Sequence, residues 1–384
     1  MSGPISRGTV QISQPDTGDE EWEACREPLT SGWLTQGPQV STFETSFAKR
    51  HRVKHALATT SCTTGLHLVL SAIGIGPGDE VIVPAFTWVA TANVVLYCGA
   101  KPVLCDVESH TYNIDCADLS RKLTERTKAV IPVHLFGLCA DMAGIRAALP
   151  DNVKIIEDAA CAAGASWHGM PAGGLGDAAV FSFHPRKSIT TGEGGMVTTN
   201  DAALAETVEM MRNHGASVSE EQRHVGPRPY LLPEFNLLGF NYRMTDLQGA
   251  VGLVQLGKLD RYIAERQEWA EYYRDRLQRL AWLRMPCFPK DGTHAWQAFV
   301  TYVDPQSAPA PRNAIMERLQ AAGIATRPGT HAIHLLGLYR DRLGLEPDSL
   351  PVARDCDANT MAIPLHNRMS REDFDHVIDT LCSI

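Results

Sequence analysis

The chain has 384 residues, 44% of them hydrophobic and 21% charged, with 35 Lys and Arg set against 44 Asp and Glu. That length allows two domains of ordinary size, and the composition is that of a soluble globular protein, with no apolar run near the roughly 20 residues of a membrane span. A net charge of −9 without a basic block disfavours a nucleic-acid partner, and MSGPISRGTVQISQPDTGDEE contains no apolar leader, so a cytoplasmic protein acting on small molecules is expected.

In chain order, apolar strand-like runs alternate with helical periodicity. Strands are expected at residues 53–59, 81–83, 101–107, 129–135, 153–158, 178–183 and 194–199. Helices are expected at 63–73, 87–97, 116–122, 141–148 and 202–212. Strands apolar on both faces and separated by helices imply an α/β fold, with a mostly parallel sheet covered on both sides. Ser217 to Leu232 reads as an irregular loop, and 239–280 as strongly helical. A strand at 297–303 and helices at 312–322 and 371–380 suggest a smaller α/β lobe. We therefore expect a large domain over residues 1–255, including an N-terminal arm, and a small C-terminal domain over 256–384. The ten cysteines show no CxxC pair, so no metal site is expected and most should be reduced, buried small hydrophobes.

In such sheets ligands bind beyond the carboxyl ends of the strands, where the polar residues of this chain collect. IIEDAAC delivers two acids at a strand end, and alternation lets only one of them face a site. SFHPRKSITTGEGGM places Lys187 where the chain leaves an apolar strand. It reads as a solvated loop lysine or as a pocket amine able to form a Schiff base with a carbonyl. SCTTG, between a strand and a helix, is either an ordinary Ser/Thr helix cap or a cradle of backbone N–H groups for a phosphate. Trp88, in PAFTWVATAN, is either a core tryptophan or a ring to stack on a ligand. A lysine for an aldehyde, an acid for a ring nitrogen and a phosphate cradle are what pyridoxal phosphate requires of a protein.

The ordered set TTSCTTGLHL, GIGPGDEVIVPAFTWVATANVV, GAKPVLCDV, IPVHLFG, IEDAACAAGA, GDAAVFSFHPRKSITTGEGG and GFNYRMTDLQGAVGLVQL resembles the DegT/DnrJ/EryC1/StrS family. These are mainly nucleotide-sugar aminotransferases with the aspartate-aminotransferase (type I) fold. The resemblance implies pyridoxal 5′-phosphate as cofactor, with the pyridoxamine form as intermediate. It implies L-glutamate or glutamine as amino donor and a keto-sugar nucleotide, commonly a 4-keto-6-deoxyhexose, as acceptor. An aminocyclitol aminotransferase and a catalytically silent cofactor-binding protein are the rival readings.

Carried onto matching positions, the resemblance makes Lys187 the Schiff-base lysine and Asp158 the partner of the ring nitrogen. Thr63, Thr64 and Ser182 would hold the phosphate, Trp88 would stack on the ring, and Asn241 would reach the phosphate of the other subunit of a homodimer. His331 would lie near the sugar. Three positions depart from the family pattern. Cys62 replaces the glycine of the common SGT turn. Cys161 stands where many members have a glutamine that bonds the ring hydroxyl. Gly65 replaces a frequent alanine, at an expected cost to the helix of about 1 kcal/mol at most. Dehydratases of the family carry histidine in place of the lysine. His184 lies three positions earlier and Lys187 is retained, so His184 is expected only on the pocket wall.

Overall fold

The computed structural model describes residues 9–217, 230 and 232–384. Most of the loop expected at 217–232 therefore lies outside the described residues. Seven strands form the main sheet: β1 (His55–Thr59), β2 (Glu80–Pro84), β3 (Lys101–Cys105), β4 (Thr127–Val130), β5 (Lys154–Asp158), β6 (Ala178–Ser182) and β7 (Gly195–Thr199), in the order β1-β7-β6-β5-β4-β2-β3. Every residue of β2, β6 and β7 is buried, as their unbroken apolar character requires of strands covered on both faces.

The departure from parallel pairing is β7, antiparallel to both β6 and β1. Residues 183–194, too short for a crossover helix, join β6 to β7 and so return the chain as an antiparallel neighbour. This connection carries Lys187. The register sets Gly195 opposite both Ser182 and Thr59, so the segments bearing the lysine, Ser182 and the SCTT turn leave the sheet at the same end of their strands. A Cβ on Gly195 would lie 2.5 Å from the Ser61 carbonyl carbon and 2.6 Å from the Cys62 nitrogen. Only glycine lets β7 lie this close to that turn.

Two expected elements are shorter than the sequence implies, for visible reasons. The run through 135 stops as a strand at Val130, because Pro132 has no N–H to give a ladder. Phe136 and Gly137 then turn through positive φ, 58° and 103°. The helix expected from Thr87 begins at Ala90, since Phe86–Thr87 pairs as a short antiparallel strand with His331–Ala332.

Gly65 is also more than a weak helix residue. A Cβ there would come within 2.5 Å of Val180 Cγ1 and 3.2 Å of Thr59 Oγ1, so its absence lets the helix Cys62–Ala72 settle onto β6. Gly65→Ala is accordingly expected to destabilise the protein by about 1–3 kcal/mol, the usual effect of overpacking, instead of gaining the ~1 kcal/mol that helix propensity alone promises. Urea unfolding of the two proteins checks the sign.

A second, antiparallel sheet comprises β8 (Leu283–Arg284), β9 (Phe299–Val303), β10 (Arg327–Pro328) and β11 (Thr360–Ile363), in the order β8-β9-β11-β10. The helix Asp246–Leu277 joins the two regions. Leu259, Tyr262 and Ile263 pack into a core with the main sheet, while Ala270, Tyr273 and Leu277 enter the core of the second sheet. The Asp246 carboxylate accepts from the N–H groups of Gly37, Gln39 and Val40 at 2.9–3.1 Å. It thereby caps a helix at Pro38–His51 that the periodicity reading did not find. No helix among the described residues is long and apolar enough to cross a membrane.

Candidate active site

A cavity of about 530 Å³ opens at the carboxyl ends of β5 and β6 and is closed from the other side by residues of the second sheet. The volume suits a small-molecule ligand. Asp158, the last residue of β5, lines it and is 5% exposed. Its Oδ2 accepts from Thr91 Oγ1 at 2.8 Å and its Oδ1 from the Ala160 N–H at 3.1 Å. Among the described residues no ion pair neutralises it. The neighbouring acid Glu157 faces the opposite way, as alternation demands. It is fully buried and accepts from His134 Nε2 and from the N–H groups of Gly173, Leu175 and Gly176.

Lys187 enters from the 183–194 connection, and its Nζ donates to Cys161 Sγ at 3.2 Å. Burial works to lower the affinity of this amine for its proton. The acceptor sulfur of Cys161, with Cys62 and Asp158 beyond it, outweighs that effect and raises the pKa above the usual lysine value. Cys62 is buried with Sγ 3.9 Å from Asp158 Oδ1, and burial, reinforced by the Asp158 charge, pushes its thiol far up. It is a neutral wall residue.

At the third corner Ser61 caps the Cys62–Ala72 helix, its Oγ accepting from Thr64 N–H at 3.1 Å. The N–H groups of Cys62 and Thr63 have no intrahelical acceptor and stand at the positive end of the helix dipole. Thr63 and Ser182 line the cavity beside them. Pyridoxal phosphate fits this donor set. A buried carboxylate without a cation is costly, and a protonated ring nitrogen would compensate it. The helix start would take the phosphate, and Lys187 supplies the amine.

The remaining sequence-predicted residues divide. Trp88, though 61% exposed, and Cys161 line the cavity, as does His184, whose Nδ1 accepts from the Arg186 N–H. Thr64 does not. Its Oγ1 is engaged with the Ser61 backbone and with Thr60, which makes it part of the cap. His331 sits at the rim, its ring centroid 5.9 Å from that of Trp88. Asn241 is exposed away from the cavity, on a segment whose Tyr242 carbonyl accepts from Thr60 N–H just before the SCTT turn. Sequence reasoning missed Thr91, which orients Asp158, and also Arg186, Gln297 and Arg327 on the cavity wall. Arg186 and Arg327 lie within HPRK and RPGTH, segments singled out for their neighbours.

The architecture is the aspartate-aminotransferase (type I) fold, and the class it defines with this pocket is an aminotransferase. The chain belongs to the DegT/DnrJ/EryC1/StrS aminotransferase family, whose pattern matches residues 15–382. It is 39% identical over 375 residues, 97% of either chain, to GDP-perosamine synthase of Caulobacter vibrioides. It is 38% identical over 377 residues, 98% of this chain and 97% of the other, to the spore coat polysaccharide biosynthesis protein SpsC of Bacillus subtilis. Among solved structures it resembles Spr1654 of Streptococcus pneumoniae, in its PMP and PLP forms. The TM-score is 0.90 at 27% identity, covering 98% of this chain and 97–98% of that one.

Proposed function

We propose that the protein is a pyridoxal-phosphate-dependent sugar aminotransferase that moves an amino group from L-glutamate or glutamine to a keto-sugar nucleotide, with a 4-keto-6-deoxyhexose as the expected sugar. The observation that carries this reading is that a buried Asp158, which forms no ion pair among the described residues, and the Lys187 amine share one cavity. A protein without this chemistry has no need to keep both. The bound cofactor supplies an electron sink and carries the amino group between the two substrates.

The chain's own residues do the rest. Lys187 would hold the cofactor through Nζ, and the same amine would carry a proton to and from the reacting carbon. Asp158, held in orientation by Thr91, keeps a proton on the ring nitrogen. The Cys62 and Thr63 N–H groups with Ser182 would hold the phosphate, while Trp88 would stack on the ring. Cys161, whose Sγ accepts from Lys187 Nζ, would be a weak partner for the ring hydroxyl. His331 contacts the sugar from the rim. Asn241 is directed to the phosphate in a partner subunit, which makes a homodimer with shared sites the working assembly.

Single-turnover amination of UDP-, GDP- and dTDP-linked keto-sugars, with glutamate or glutamine as donor, tests the reading. One nucleotide class should react far faster than the others. Turnover of a cyclitol ketone alone would keep the chemistry and replace the acceptor. Shared sites predict that homodimers of Lys187→Ala and of Asn241→Ala are both impaired. Mixing the two recovers activity, because one site of the mixed dimer carries both native residues. Absence of recovery in mass-verified heterodimers would assign Asn241 to its own chain.

A further inference from the structure

Among the described residues the Lys187 amine has one hydrogen-bond partner, and that partner is a sulfur: Nζ donates to Cys161 Sγ at 3.2 Å. Both groups stand on fixed turns. Cys161 follows Asp158 in a turn closed by the Ala162 N–H on the Ala159 carbonyl at 2.9 Å, and the Lys187 N–H donates to the His184 carbonyl at 2.8 Å. Cys161 is half-buried, and both residues line the cavity. A small solute can therefore reach the pair.

All ten cysteines are free, and the other nine lack this arrangement. Cys98 meets the Ser71 hydroxyl, and Cys105 the Asp115 carbonyl. Cys62, the other thiol on the cavity wall, points to Asp158 Oδ1 and the Val180 carbonyl, and burial keeps it protonated. Cys382 has a cation beside it, Arg279, whose Nη2 lies 3.2 Å from the sulfur. A guanidinium stays charged and has no free amine to offer. Among the described residues Cys161 alone joins an accessible sulfur to an amine able to form a covalent bond with it. Oxidation selects cysteines that are accessible and paired with a cation.

We propose that Cys161 and Lys187 are an oxidative modification site, in which hydrogen peroxide converts Cys161 to a sulfenic acid and Lys187 Nζ then closes on the sulfur as a sulfenamide. In the first step the Cys161 thiolate attacks one peroxide oxygen. The S–O bond forms as the O–O bond breaks, so sulfur is oxidised and the peroxide reduced. The departing hydroxide takes a proton from the Lys187 ammonium and leaves as water. A sulfenic acid now faces a neutral amine. In the second step Nζ attacks the sulfur, the S–N bond forms and the S–O bond breaks, and the hydroxyl leaves with a nitrogen proton as a second water. No further oxidant is needed, and the flexible lysine stem lets Nζ close the remaining gap. Two equivalents of a thiol reverse the link, regenerating thiol and amine and yielding one disulfide of the reductant. While linked, the amine cannot take an aldehyde. The proposal rests on the aminotransferase reading for that consequence, and on the Cys161–Lys187 contact for the bond.

The experiment treats the enzyme loaded in its pyridoxamine form, which leaves Lys187 unbonded, with hydrogen peroxide and reads intact mass and tryptic peptides. Wild type should lose the mass of two hydrogens, lose cleavage after Lys187 and yield the Cys161 and Lys187 peptides joined. Dithiothreitol should restore all three. Uptake of added pyridoxal phosphate, read by its absorbance, should fall by the fraction linked. Cys161→Ser should form no link, whereas Cys62→Ala should link as wild type does. In Lys187→Arg the guanidinium cannot close on the sulfur, so dimedone, which traps sulfenic acids, should label a Cys161 that the wild type consumes. A persistent dimedone label on wild-type Cys161, a Cys62–Cys161 disulfide, or full cleavage after Lys187 in the oxidised protein overturns the proposal. A link that forms in protein whose borohydride-fixed cofactor maps to another lysine would keep the modification site and remove Lys187 from the aminotransferase reading.

Discussion

Lys187→Ala is expected to lower turnover by about 10⁴-fold or more, the upper end of what a single positioned proton carrier contributes, because in the proposed function the same residue would also tether the cofactor. The fold should survive. Among the described residues the Lys187 side chain bonds only Cys161 Sγ, and its backbone N–H to the His184 carbonyl remains in the variant. Near-native circular dichroism and a midpoint within a few degrees of wild type are therefore expected alongside the lost activity. Lys187→Arg separates charge from chemistry. A guanidinium keeps the positive charge beside Asp158 but cannot form the tether, so this variant should be as inactive as the alanine one. Borohydride reduction followed by peptide mapping should place the cofactor on Lys187 in the wild type, and label on any other lysine would sink the assignment.

The raised pKa adds a signed pH dependence. In the cofactor-free protein the amine is a cation at neutral pH, and only the neutral form attacks an aldehyde. With the pKa above the lysine value, the reactive fraction grows about tenfold per pH unit through the range 7–9. The rate of reconstitution with cofactor should rise accordingly. A rate that is flat across that range would mean the amine is already neutral.

How much of this was legible in the sequence depended on how local the causes were. All seven main strands were found, because each buries most of its residues and reads as a short apolar run. The direction of β7 was not, since a strand's letters do not state its partner. The length of the 183–194 connection was the available signal. The helix Pro38–His51 was missed although Val40, Phe43, Phe47 and Ala48 share its buried face and Pro38 opens it. Its start is fixed by Asp246, more than two hundred residues away, and its close approach by Gly249 and Gly252, whose added Cβ atoms would strike Val40 and Phe43. At the site, Asp158, Lys187 and Thr63 were readable as strand-end and helix-start residues. Thr91 and Arg327 became visible only when Phe86–Thr87 paired with His331–Ala332 and the second sheet closed over the cavity. Thr64, read as a phosphate ligand from its place in SCTT, is spent on the cap, because a side chain at the third helical position reaches back to the cap residue.

Asp158→Asn should be the second most damaging substitution, and it should move activity and stability in opposite directions. In the cofactor-free protein the Asp158 side chain is 5% exposed, bonded by Thr91 and the Ala160 N–H, and forms no ion pair among the described residues. Asparagine keeps the size and, through its carbonyl oxygen, can keep the Thr91 bond, while removing a charge whose burial is unfavourable. The cofactor-free variant is therefore expected to be as stable as wild type or more so. With cofactor bound the balance reverses. The ring nitrogen loses its buried ion-pair partner, a loss of about 3–5 kcal/mol, which corresponds to roughly 10²- to 10⁴-fold in rate if it falls on the transition state. The effect should fall on kcat in both half-reactions, since both need the same electron sink, and KM for the sugar should change far less because Asp158 lies away from the mouth. Thermal unfolding with and without cofactor, beside single-turnover rates, separates these terms. A variant with near wild-type rates, or one whose cofactor-free form is destabilised by several kcal/mol, would show that Asp158 serves the fold and that another group serves the ring.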